Sequence, residues 1–101
     1  MENITSAELE KLISKNETLL VDYWAKWCMP CKQLIPRIEK FESEYPNVKF
    51  VKIDVDENMD HAIEMEIRSV PTIIIMKGSE VINRSSGANT ESFYKDILNS
   101  L

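Results

Sequence analysis

The sequence predicts an α/β fold, in which a central mixed sheet of four to five strands carries four helices on its two faces. Three observations support this prediction. Two strand-like runs, residues 18–24 and 48–55, are apolar on both faces, which is typical of strands that helices cover on both sides. Helical and strand patterns alternate in the first half of the chain, and the second half ends in a hairpin-like pair followed by a helix. The order βαβαβ followed by αββα therefore predicts a mixed sheet.

The first half of the chain begins with a short strand at residues 2–5. Thr5 or Ser6 can cap the helix that follows, because a hydroxyl side chain accepts a hydrogen bond from the free amides of the first turn. After the first apolar strand, a long helix is expected from about 29 to 44, and Pro36 inside it should bend the helix axis. The second apolar strand comes next.

The second half begins with a short helix or helical turns at residues 56–66. A strand at 72–76 and another at 81–85 flank a Lys-Gly-Ser-Glu turn, which favours a hairpin. Asn89 or Thr90 can cap the last helix. No linker, repeat or low-complexity segment interrupts this order, so the chain is expected to form one domain over residues 1–101.

The composition argues against several classes of protein. With 101 residues, of which 44% are hydrophobic, the chain can form a globular core without structural disulfides or metal. Its net charge is -5 and its lysines are interleaved with acids, so no basic stripe is available and nucleic acid is not an expected ligand. No apolar run has the length of a membrane span, and the amino terminus lacks a secretory leader pattern. We therefore expect a cytoplasmic protein that binds no membrane.

Both cysteines lie in one short segment, residues 27–32, directly after the first apolar strand. A helix beginning near Met29 places Cys28 at its unpaired amides and Cys31 one turn later, within reach of a disulfide. These amides and the positive end of the helix dipole favour a thiolate, so Cys28 is the expected nucleophile, with a lowered pKa, and Cys31 the resolving thiol. Pro30 suits the first helical turn, where its missing N–H has no partner to lose.

Two other uses of the cysteine pair are disfavoured. As a structural disulfide it would close so short a loop that the loop-entropy model gives a gain in folding stability of only about 2 kcal/mol. A zinc site needs four ligands, and His61 is the only remaining strong nitrogen ligand in the chain. His61 lies in an acidic helical segment and is expected at the surface without a role. The spacing therefore favours reversible redox chemistry and no bound metal.

Three further positions are of interest, and each has an ordinary structural interpretation. Asp22 lies in a strand so apolar that burial would raise its pKa and let it act as a general base for Cys31. Alternatively, it is a solvated aspartate near a strand end. Lys52 could act near the site or be an ordinary surface lysine with a buried stem. Pro71 opens a strand, where a trans proline is the usual case.

The segment from Asp22 to Lys32, which contains both cysteines, resembles the active-site segment of the thioredoxins. That family usually has Asp-Phe-Trp-Ala followed by Trp-Cys-Gly-Pro-Cys-Lys, and this chain has Asp22-Tyr23-Trp24-Ala25 and then Trp27-Cys28-Met29-Pro30-Cys31-Lys32. Met29 replaces the usual glycine, which bears on the redox potential and on partner preference. The resemblance covers essentially the whole chain, including Lys52, the Val70-Pro71-Thr72 loop and Gly87, and it implies the thioredoxin fold.

The resemblance also implies the chemistry. The chain would reduce disulfides of protein substrates through a reversible dithiol and disulfide of Cys28 and Cys31, with Asp22 as proton acceptor and Lys52 as its modulator. No cofactor would be bound. Electrons would come from NADPH only indirectly, through a thioredoxin-reductase-like donor, and the protein is expected to act as a monomer.

A substrate-binding surface is implied around the cysteines. A cis peptide bond before Pro71 would leave the backbone of Val70 free to pair with a substrate chain, and Gly87 would permit close approach beside it. Exposed apolar residues around a reactive group can bind many protein substrates loosely. The expected rim residues are Trp27, Met29 and Pro30, although Met29 could also be a neutral substitution.

Three rival functions remain. The chain could be an accessory binding subunit of a larger complex, in which the cysteines are dispensable. An oxidase or isomerase of an oxidising compartment is disfavoured because the export signal is missing and because Pro30 stands where such proteins usually have histidine. A glutaredoxin is disfavoured because its proline usually follows the first cysteine directly.

Overall fold

The computed structural model describes residues 1–101 and has a single five-stranded mixed sheet. Its strand order is β1-β3-β2-β4-β5, in which β1, β3 and β2 are parallel and β4 is antiparallel to both of its neighbours. The strands are β1 (Glu2–Asn3), β2 (Thr18–Trp24), β3 (Lys49–Asp54), β4 (Thr72–Lys77) and β5 (Glu80–Ser86). The predicted α/β class and mixed sheet are confirmed.

Four α-helices accompany the sheet. They are α1 (Ser6–Ser14), α2 (Met29–Glu39), α3 (Met59–Glu64) and α4 (Glu91–Asn99). Thr5 caps α1 in a reciprocal pair with Glu8, and Thr90 caps α4 by accepting the amide of Phe93. None of the helices has the length and apolar character that crossing a bilayer requires.

The core consists of two layers, one on each face of the sheet. In β2, Leu19, Val21 and Tyr23 pack with Leu9 of α1, whereas the alternate side chains point to the layer of α2 and α4. Burial of each such large apolar side chain stabilises the fold by about 1.5–3 kcal/mol. Because β2 is central, both of its faces are covered, and Asp22 is forced into the α2 and α4 layer.

Helix α2 is shorter than predicted. It ends at Glu39, and residues 42–44 form a separate 3-10 turn, so the predicted end near residue 44 is wrong. Phe41 leaves helical geometry, and its fully buried ring packs edge-on against Phe50 and Tyr45. This tertiary packing outweighs the local helical pattern.

The prediction that His61 is a surface residue is also wrong. Only 9% of its surface is exposed, and its Nε2 lies 2.9 Å from the hydroxyl of the fully buried Tyr23, with the two rings stacked. The short helix α3 turns His61 and Ala62 inwards, and the tyrosine hydroxyl supplies the partner that a buried imidazole needs. Burial lowers the pKa of His61.

Candidate active site

The amino terminus of α2 holds the disulfide between Cys28 and Cys31, whose Cα atoms are 5.3 Å apart. Cys28 is the N-cap residue, and its Sγ accepts the Cys31 amide at 3.2 Å. Pro30 occupies the first turn, where no amide is lost. In the reduced state the same amide and the helix dipole would stabilise a thiolate at Cys28.

The two sulfurs differ in access. Cys31 has no exposed surface, whereas Cys28 keeps 4% of its surface. The neighbouring Trp27 and Met29 are 68% and 62% exposed, which is unusual for large apolar side chains. An incoming chain therefore reaches Cys28 first and meets an apolar rim beside it.

Two loops meet the disulfide from the sheet. The Val70–Pro71 peptide bond is cis, and the Val70 carbonyl oxygen lies 3.6 Å from Cys28 Sγ. The Gly87 amide donates to the Pro71 carbonyl at 2.8 Å, so the second loop is joined to the first. Gly87 has a φ of 81°, and no atom lies within 4 Å of where a side chain would begin. The space beside Gly87 is therefore open.

Asp22 is a buried acid without a partner. It has no exposed surface, and neither carboxylate oxygen accepts a hydrogen bond. Burial raises its pKa from an ordinary value of 3.8 to about 7, against the opposing charge of Lys52. Lys52 is the register partner of Asp22 on β3, so both side chains point to the same face of the sheet. Its Nζ also lies 4.9 Å from the Trp24 ring centroid.

The two tryptophans of the segment have different surroundings. Trp24 is half-buried and packs against the cysteine pair together with Val55 and Val70. Trp27 is fixed at the rim by a hydrogen bond from its Nε1 to Asp56 at 2.9 Å. Sequence reasoning missed Asp56, although an aspartate directly after a buried strand is a usable signal.

Asp54 was also missed, and it shapes the turn that presents Asp56. It is 2% exposed, and one of its carboxylate oxygens accepts the amides of Asp56 and Glu57 at 2.9 and 3.4 Å. No three His, Cys, Asp or Glu side chains converge in a way that could hold a metal ion. The site combines a disulfide-bonded cysteine pair at the start of a helix, a buried acid and an exposed apolar rim.

Comparisons with known proteins agree with this geometry. The thioredoxin family profile matches residues 1–99. The chain is 41% identical to mitochondrial thioredoxin-3 of Saccharomyces cerevisiae over 90 residues, which cover 89% of this chain and 71% of the yeast protein. It is 38% identical to the thioredoxin of Bacillus subtilis over 82 residues, which cover 80% of this chain and 79% of that protein.

Solved structures of thioredoxins are also similar to this chain. The crystal structure of oxidised mitochondrial thioredoxin 3 from Saccharomyces cerevisiae is similar with a TM-score of 0.88 and 36% identity, over 100% of this chain and 95% of that chain. A Plasmodium falciparum thioredoxin has a TM-score of 0.89 at 34% identity, over 99% of this chain and 98% of that one. The resemblance seen in the sequence is confirmed. The chain therefore belongs to the thioredoxin family, and it is a protein thiol-disulfide oxidoreductase whose redox-active pair is Cys28 and Cys31.

Proposed function

We propose that the protein acts as a reductant of disulfides in other proteins. The Cys28 thiolate attacks one sulfur of the substrate disulfide, the substrate S–S bond breaks, and the leaving thiolate takes up a proton. Cys31 then loses its proton and attacks Cys28 Sγ. The mixed disulfide breaks, the second substrate thiol is released, and two electrons have passed from the Cys28 and Cys31 pair to the substrate.

The contacts of the sulfurs favour this direction. A dithiol whose thiolate is strongly stabilised holds its electrons and makes an oxidant. Here Cys28 Sγ accepts one backbone amide, that of Cys31, and faces the electronegative carbonyl oxygen of Val70. Neither sulfur accepts a hydrogen bond from a lysine or arginine side chain. With one amide donor and no side-chain cation hydrogen-bonded to the sulfurs, these contacts support the assignment of a reductant.

Asp22 is the proposed proton acceptor for the second step. Its carboxylate lacks hydrogen-bond partners, and with a pKa of about 7 it can take and release a proton near neutral pH. Its position on the sheet face covered by α2 suits transfer from the buried Cys31, directly or through a water. Lys52 shares that face and tunes the acid by its positive charge.

The substrate chain is proposed to dock beside Val70. Neither backbone group of Val70 has a hydrogen-bond partner within the chain, apart from the 3.6 Å contact of its oxygen with Cys28 Sγ. Unpaired backbone groups at a surface are ready to accept an added strand. Gly87 leaves room for that strand, the cis Pro71 sets the direction of Val70, and the rim is formed by Trp27, Met29 and Pro30.

The proposed cycle also needs a source of electrons. A thioredoxin-reductase-like enzyme would return two electrons from NADPH to the disulfide, and the protein itself would bind no cofactor. It would act as a monomer in the cytoplasm, where a reducing environment suits a thiol carrier. Size-exclusion chromatography and cell fractionation test the last two points.

The direct test is reduction of insulin with dithiothreitol as electron donor. The wild type should accelerate precipitation of the released insulin chain, and Cys28→Ser should abolish the acceleration because no nucleophile remains. An inactive wild type would overturn the proposal. Retained activity in Cys28→Ser would show that another group carries the reaction.

A further inference from the structure

Tyr94 on α4 is a buried phenol that the redox cycle leaves unexplained. It has no exposed surface, yet its hydroxyl accepts the Asn89 amide at 3.1 Å and lies 3.4 Å from the Gly87 carbonyl oxygen. Both groups belong to the segment before α4, which the Gly87 amide joins to Pro71, next to the residue that contacts Cys28 Sγ. A buried hydroxyl normally needs a partner, and here the partners are the backbone of a functional loop.

The same segment is tied to α2 as well. The Arg37 guanidinium donates to the Asn89 carbonyl at 2.6 Å, and the Gly87 amide donates to Pro71 at 2.8 Å. Hydrogen bonds therefore run from the Pro71 loop through Gly87 and Asn89 to the helix that begins at the disulfide. We call this set of hydrogen bonds between Pro71, Gly87, Asn89 and Arg37 the frame. The Tyr94 hydroxyl contacts its middle part, at Gly87 and Asn89.

Tyr94 also packs in the core layer on the side of the sheet that Asp22 faces. Burial raises the pKa of Tyr94, and the negative charge of Asp22 raises it further, while the bonds from Asn89 oppose the shift. The phenol thus lies in the layer where the proposed proton acceptor lies. Its hydroxyl contacts the backbone of the segment that follows β5.

We propose that Tyr94 is a positioning residue for substrate, whose hydroxyl holds the segment from Gly87 to Asn89 at the distance from Val70 that a substrate chain requires. This inference depends on the proposed docking of substrate between these loops. Without the hydroxyl, the Asn89 amide loses its partner and the segment moves more freely. A protein substrate then binds to a less ordered surface, while the chemistry at the cysteines is unchanged.

The test is Tyr94→Phe, which removes one oxygen and keeps the ring. We expect the KM for insulin to rise about threefold to tenfold, the loss typical of one hydrogen bond, with kcat nearly unchanged. Reduction of hydroxyethyl disulfide, which has no peptide chain, should be unaffected. Hydrogen exchange at the Asn89 amide should become about tenfold faster, since its local opening is easier.

Tyr45→Phe is the matched control. The Tyr45 hydroxyl donates to Asn99 at 2.7 Å, and Tyr45 lines a surface cavity together with Thr18, the residue at the end of β2 opposite to the disulfide. All three readouts should stay at wild-type values in this variant. Arg37→Met is a second test of the frame, because it removes the donor to Asn89 from a different helix and should also raise the KM for insulin.

Each outcome has a distinct meaning. An unchanged KM for insulin in both Tyr94→Phe and Arg37→Met would overturn the inference. Equal losses with insulin and hydroxyethyl disulfide would overturn it too, because they would show general damage to the site. A wild type that fails to reduce insulin would refute the proposed function instead, and the Asn89 exchange rates would then still test the support by Tyr94.

Discussion

Replacement of the buried acid, Asp22→Asn, should make the protein more stable at high pH. In the folded state this carboxyl has no hydrogen-bond partner and a pKa raised to about 7, whereas in the unfolded chain it titrates near 3.8. Well below pH 3.8 the carboxyl is protonated in both the folded and the unfolded state, so it does not reduce the free energy of unfolding. Between these two values the unfolded chain ionises first, so the free energy of unfolding falls as pH rises, and above about pH 7 the loss is constant.

The size of the effect follows from the two pKa values. Each tenfold change in proton affinity corresponds to about 1.4 kcal/mol, so raising the pKa from 3.8 to about 7 costs the folded state about 4 kcal/mol once the group is charged. Asparagine has a similar shape and carries no charge. The stability of Asp22→Asn relative to wild type should therefore grow by up to about 4 kcal/mol between pH 4 and pH 8.

Guanidinium unfolding of both oxidised proteins at pH 4, 6 and 8 measures this difference. Asp96→Asn is the control, because it makes the same change of charge at an exposed position of α4 and should stay within about 0.5 kcal/mol of wild type at each pH. A stability gap between Asp22→Asn and wild type that stays constant from pH 4 to pH 8 would refute the assignment of Asp22 as a buried acid that titrates near neutrality.

Three other outcomes follow from the site and the core. Cys31→Ser should accumulate a one-to-one mixed disulfide between Cys28 and a protein substrate, because no second thiol can release the substrate. Mass spectrometry detects this adduct, and full release of substrate would contradict the proposed order of attack. Tyr23→Phe should lower the free energy of unfolding by about 1–3 kcal/mol, because it leaves the buried His61 without its partner; an unchanged urea midpoint would count against that bond. Gly87→Ala should lower the free energy of unfolding by about 1 kcal/mol, because an alanine at a φ of 81° is strained. It should also raise the KM for insulin, and a wild-type KM would show that the substrate chain does not pass beside Gly87.

The central part of the fold could be predicted from local patterns. A strand with apolar residues on both faces has to be covered on both sides, which predicted a central position for β2 and made burial one of the two interpretations of Asp22. A cysteine pair at the start of a helix has its amides and its spacing fixed by helix geometry. These features are determined by residues that lie close together in the sequence, so local patterns are enough to predict them.

The remaining features depend on contacts between distant parts of the chain. The end of α2 is decided by the packing of Phe41, and the burial of His61 by a hydroxyl that lies 38 residues away on β2. The bond between Arg37 and Asn89 joins residues 52 positions apart. Periodicity within one element cannot reveal such pairs, so the frame around the substrate loops became visible only with the fold.

The equilibrium between the protein and the glutathione couple tests the central claim most directly. Mixtures of reduced and oxidised glutathione are equilibrated with the protein, and the fractions with a Cys28–Cys31 disulfide and with two thiols are counted by alkylation. A reductant should reach half-oxidation at a potential below that of the glutathione couple, so that its disulfide dominates in equal mixtures. A protein that remains a dithiol in excess oxidised glutathione would be an oxidant, and the proposed direction of electron flow would be wrong.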